Sequence, residues 1–159
     1  MDLRNLLVET HAHMPPPLIL ADVSEGDAMR RFPGVSHSMA EIVAHMAFWQ
    51  TWFVKRIKGE HEPFVTSASM GWPAVAGGDW DAVRAQFLKS LEDAVSFASQ
   101  PALLDTPVAP ALEFPPIANY TISDALIHVA NHNSHHFGQI ITLRQLGGIW
   151  PPASGSWTW

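Results

Sequence analysis

Apolar positions along the chain fall into three long stretches with helical spacing. In the first, Met39, Ile42, Val43, Met46, Trp49, Phe53 and Ile57 recur at intervals of three and four, which places them on one face of a helix. Ser38-Met39-Ala40-Glu41 has the spacing of a capping box and Gly59 follows the last periodic residue, so a helix is predicted over about 38 to 58. In the second, Trp80, Val83, Phe87, Leu91, Ala94, Val95 and Ala98 form one face between Asp79 and Pro101. The third opens on another capping box, Thr121-Ile122-Ser123-Asp124, and runs to Leu146, where Gly147-Gly148 is a stop signal. Residues 2 to 13 predict a short first helix that Pro15-Pro16-Pro17 must end or bend, because proline lacks the N–H and clashes with the preceding turn. Ser24 and Asp27 predict a further helical turn within 24 to 32, before Phe32-Pro33-Gly34.

No segment requires a strand, so the expected class is all-α, with one domain over residues 1–159. The connections 60–78 and 101–120 are rich in proline, glycine or small residues. Antiparallel neighbours need only short loops, so connections this long imply at least one crossover along a bundle. Loops of this length also tend to line a site. Trp150, Trp157 and Trp159, in a tail without periodicity, are expected to cover a bundle end or another subunit.

Composition narrows the possibilities. Hydrophobic residues make up 47% of the 159 and charged residues 15%, which excludes disorder and suggests surface buried between subunits, hence a homodimer. The net charge is −6, and the 9 Lys and Arg are scattered apart from Lys55, Arg56 and Lys58, so a nucleic-acid partner is not expected. There is no cysteine, so a metal would need nitrogen or oxygen ligands. The first residues, acidic at position 2 and broken by histidines and prolines, read as neither signal peptide nor membrane span, and a cytoplasmic location is the expectation.

The chemistry concentrates in HVANHNSHHFGQ, residues 128–139, where four histidines fall within nine residues of a helix. With about 100° of rotation per residue from Ile122, the apolar arc spans roughly 300° to 40°. His136 then falls near about 320°, His132 near about 280°, His128 near about 240° and His135 near about 220°. Only His132 and His136 point at or beside the core. Residues four apart stand roughly 6 Å apart along the axis, close enough for two imidazoles to share one ion, whereas residues eight apart stand about 12 Å apart. His132 and His136 are therefore the expected pair of ligands, with His128 and His135 as neighbours or rim groups.

A third ligand must come from elsewhere, and His45, on the flank of the 38–58 helix beside Trp49 and Trp52, is the best placed. Glu41 is a ligand or ligand-orienting alternative, although its position after Ser38 favours a capping role. Asn133, Gln139 and Glu41 are candidates to orient an imidazole through its free N–H. Trp49 and Phe137 read first as core, and His11, His13, His37 and His61 as solvated side chains.

Three neutral imidazoles leave a divalent ion its full charge and an open position, which lowers the pKa of bound water from 15.7 to about 7. The same position could take a thiol as thiolate. A zincin peptidase is disfavoured, because Asn133 stands where HExxH requires glutamate. No GxSxG elbow, dinucleotide loop or P-loop occurs.

HSMAEIVAHMAFW (37–49) and HVANHNSHHFGQIITLRQLGG (128–148) resemble the mid-helix histidine and the HxxxHxGQI helix of the DinB-like (DinB/YfiT-like) metalloenzyme family. The resemblance implies a four-helix bundle in up-down-down-up order, often dimeric, with a divalent metal on three histidines. Matched position by position, these are His45, His132 and His136. Family members include metal-dependent hydrolases and thiol-dependent transferases. The expected function is thus a hydrolase activating water on Zn²⁺ or Ni²⁺ for a small-molecule substrate. The alternatives are a thiol S-transferase on the same metal and a bundle that binds metal, or merely folds, without catalysis.

Overall fold

The computed structural model describes residues 2–8 and 13–156, and within them the chain is helical. The elements are α1 (Leu3–Val8), α2 (Pro16–Ile19), α3 (Glu25–Met29), α4 (Met39–Ile57), α5 (Trp80–Ala98) and α6 (Ile122–Gly147). Among the described residues no strand forms, and one isolated bridge pairs Pro107 with Thr121. The three stretches of helical periodicity become α4, α5 and α6. The first predicted helix, residues 2 to 13, is described as α1 over Leu3–Val8, and residues 9–12 lie outside the described part.

Both predicted capping boxes form. Ser38 Oγ accepts from the Glu41 amide while Glu41 returns a bond to the Ser38 amide, and Thr121 and Asp124 do the same at α6, satisfying backbone donors that a helix start leaves unpaired. Gly148, in the left-handed region at φ 72°, closes α6. The start of α5 is capped from a distance. Asp79 makes no side-chain cap there, and the Glu25 carboxylate accepts instead from the backbone amides of Gly78 and Trp80, at 2.7 and 3.1 Å. Its negative charge also suits the positive end of the helix.

Helix α4 packs against both α5 and α6, and α1 packs against α5 and α6 from the other side. Met46, Phe87, Leu91, Leu126, Phe137 and Ile140 form the centre of the core. A polar thread crosses it. Gln50 on α4 donates from Nε2 to the Phe87 carbonyl and Ser90 Oγ on α5, and its Oε1 accepts from Asn133 Nδ2 on α6 at 2.7 Å.

The second half of α4 also fastens the two long connections. Arg56, 0% exposed, donates through Nη2 to the carbonyls of Pro110 and Ala111 at 2.9 and 2.8 Å, and through Nη1 to the Glu62 carbonyl at 3.4 Å. Trp52 Nε1 donates to the Pro63 carbonyl. At the other end of the molecule Arg144 is likewise buried, bonding the carbonyls of Ile19 and Ile149 beneath the Trp150 ring. Trp157 and Trp159 lie outside the described residues. Arg56→Ala removes the fully buried side chain that donates to three loop carbonyls, at about 1.5–3 kcal/mol for a hydrogen bond to a charged group. We expect a loss of roughly 3 kcal/mol or more in urea unfolding, with residues 60–64 and 108–114 becoming the first sites of limited proteolysis.

Candidate metal centre

Where α4 crosses α6, His45 meets His132 and His136. One ligand-capable atom from each lies within 4.8 Å of the others, and the ring centroids stand 5.0, 4.9 and 4.5 Å apart. His132 and His136 are one turn apart on α6, as reach requires. His45 Nε2 and His132 Nε2 are only 3.1 Å apart.

The partners of the rings fix their tautomers. His45 Nδ1–H donates to the Gly71 carbonyl at 2.6 Å, and His136 Nδ1–H donates to Gln139 Oε1 at 2.7 Å. In both, Nε2 is left with a free lone pair, the arrangement that metal-binding imidazoles take when their other nitrogen is held by an acceptor, and that of His45 faces His132. Burial keeps the rings uncharged. His132 is pushed down to about 3 by desolvation, with the neighbouring histidines adding to it. His136 is pushed down to about 4, also by desolvation, against the opposing bond to Gln139. His45 is lowered by burial, opposed by its bond to Gly71. Three neutral nitrogen donors around one point, with no carboxylate or thiol among them, form a donor set suited to a divalent transition ion.

Residues from the 60–78 connection complete the wall. Trp72 stacks on His45 at 3.8 Å and 11°, and its far face carries His37 at 3.7 Å and 10°. Gly71 has to be glycine, since a Cβ there would stand 2.8 Å from Trp49 Nε1. Neither Gly71 nor Trp72 lies in a periodic segment, so only the length of the connection signalled that it lines a site.

The other expected residues spread out. Glu41 is engaged by the Ser38 amide and by Arg31, and so stays at the helix cap. Asn133, 2% exposed, gives its amide to Gln50 rather than to an imidazole. His128 is half-buried, its Nδ1 paired with the Tyr120 hydroxyl at 3.2 Å and its ring against Phe53. His135 is exposed. His61 is exposed beside Glu113. Two histidines expected in solvent are not there. His13 is buried, its Nδ1–H donating to the Met14 carbonyl and its Nε2 accepting from Ser134 Oγ, and His37 is half-buried in the Trp72 stack. His11 lies outside the described residues.

Beside the centre lies a cavity of about 230 Å³. His45 and His132 form one wall, Trp49, Phe53, Phe64 and Phe114 much of the rest, and Gln50, Ile117, His128 and Val129 complete it. On the opposite side His136, Gln139, His37 and Trp72 border a wider surface groove.

An all-helical chain with a three-histidine group suited to a metal at a helix crossing defines the class. The family model of the DinB superfamily matches residues 17–140, so the chain belongs to that superfamily. No curated protein and no solved structure matches it.

Two outcomes test the centre. Gly71→Ala should displace the carbonyl that orients His45 and weaken metal binding about 10- to 100-fold, read by competition with a chromogenic chelator. The depressed histidines also set a pH dependence in metal-free protein. Unfolded imidazoles take up protons near pH 6.5, before the folded ones do near 4 and 3. Stability is therefore full above about 6.5 and is lost as pH falls through the window below it. The urea midpoint measured in chelator should decline from pH 7 to pH 5, and less steeply in His132→Gln.

Proposed function

We propose that the protein is a metal-dependent hydrolase acting on a small molecule, with Zn²⁺ or Ni²⁺ held by His45, His132 and His136. The observation that carries this reading is the convergence of three neutral imidazoles, two of them held by acceptors at Nδ1, with His45 and His132 forming a wall of an apolar cavity. When bound, such an ion acts as a Lewis acid that acidifies water or polarises a carbonyl.

The chain's own groups do the remainder. Gly71 and Gln139 hold two rings in place. Trp49, Phe53 and Trp72 exclude bulk water from the His45 side. His128 is the titratable group left on the cavity wall; burial lowers its pKa, so it is neutral at pH 7 and able to accept a proton. Its Nδ1 is occupied by Tyr120, which makes Nε2 the atom that exchanges a proton with a bound molecule. Absence of any charged side chain among the lining residues favours hydrolysis over transfer to a charged low-molecular-weight thiol. The wider picture is a single-domain cytoplasmic protein assembled as a homodimer, with α1 and α4–α6 as an up-down-down-up set of four.

Elemental analysis of untagged protein should give about one equivalent of divalent metal per chain, lost in His132→Ala and in His136→Ala. Ester and amide hydrolysis by metal-loaded protein should disappear in the same variants. His128→Gln should keep the metal and lose about 10²- to 10⁴-fold in kcat. Activity only with a thiol and an electrophile would replace the hydrolase by a transferase. Full activity in both histidine variants would remove the metal from the reaction.

A further inference from the structure

The cavity beside the three histidines has a composition that selects what enters it. Of its ten lining residues four are aromatic and none is Asp, Glu, Lys or Arg. The aromatic rings are fixed by one another rather than by solvent. Trp49 stands edge-on to Trp52 and tilted against Phe64, with centroids 5.9 and 5.5 Å away. Phe64 stacks on Phe114 at 5.0 Å and 4°. Those two residues come from different connections, 58–79 and 99–121, and Arg56 bonds the backbone of both. Phe114 is 43% exposed, so this pair stands where the cavity meets solvent.

Resting on the metal-centre reading above, we infer that the cavity takes an uncharged aromatic ring whose reacting substituent is directed at His45 and His132. Size agrees with this occupant. An apolar cavity of about 150 Å³ accepts benzene, so about 230 Å³ accommodates one ring with a short substituent. Charge agrees as well, because no lining side chain would compensate a carboxylate, phosphate or ammonium carried into the cavity. Ring faces and edges on several sides favour an aromatic guest over a saturated one of equal bulk, through edge-to-face and offset contacts. The polar wall is confined to Gln50 and the imidazoles. Both Gln50 amide atoms are already bonded within the core, so the histidine side is where a polar substituent finds partners.

The test uses the full chain in two states. With zinc-loaded protein, calorimetry compares acetohydroxamate, cyclohexanecarbohydroxamate and benzohydroxamate, which share a metal-binding head. Benzohydroxamate should bind at least tenfold more tightly than acetohydroxamate and several-fold more tightly than the cyclohexane compound. In Phe64→Ala/Phe114→Ala the gain from the ring should vanish while acetohydroxamate binding is retained. With chelator-treated protein, saturation-transfer NMR should detect benzamide but not terephthalate. If the metal site fails, the hydroxamate heads give no zinc-dependent binding, yet benzamide still binds the metal-free protein. If zinc binds and the three hydroxamates bind alike, or terephthalate binds as well as benzamide, the aromatic assignment is overturned although the metal centre stands. A ring preference that persists in the double variant equally overturns it.

Discussion

The alignment of α4 against α6 is the constraint on which the centre depends, and a buried amide pair sets it. Asn133 donates to Gln50 at 2.7 Å, and Gln50 donates onward to Ser90 and the Phe87 carbonyl, so one chain of bonds ties all three long helices. A slip of one turn, about 5.4 Å, would leave these amides without partners at about 1–3 kcal/mol for each group. It would also carry His45 away from its 3.1 Å approach to His132. Asn133 Oδ1 is itself buried with no partner among the described residues, so the thread selects an alignment more than it adds net stability.

That alignment crowds three imidazoles whose charged forms are excluded by burial. With the His45 proton on Nδ1, the 3.1 Å contact between the two Nε2 atoms is satisfied by His132 Nε2–H donating to His45, or by a cation in place of that proton. The Gly71 carbonyl and Gln139 Oε1 accept from the Nδ1–H groups of His45 and His136 and so keep the proton off Nε2 in both rings. The electrostatic character of the site thus comes from backbone and amide groups that carry no charge.

The helices and the connections divide the work. The three histidines stand on α4 and α6, whose geometry is set by core packing, whereas the connections add Gly71 and Trp72 beside His45 and bring Phe64, Phe114 and Ile117 to the cavity. Arg56 and Trp52 bond the backbone of these long segments to α4, and His45 and Glu25 hold the first of them at Gly71 and Gly78. Loops tolerate change that helices in a core do not, so the residues brought by the connections can vary with less effect on the placement of the three histidines.

Local pattern in the chain was enough for α4, α5 and α6, both capping boxes, the glycine stop after α6 and the pairing of His132 with His136, because each depends on contacts within about one turn. His45 could be nominated but not placed, since its position relative to α6 depends on a core bond between residues 83 apart in the chain. The roles of Gly71, Trp72, His37 and His13 were not legible at all. Their segments have no periodicity, and what each side chain touches is decided only when a connection is folded down on the helices. Asn133 shows the same limit from the other side: helical spacing put it near the histidines, and tertiary packing turned its amide to Gln50, where a buried polar group finds the partner it needs.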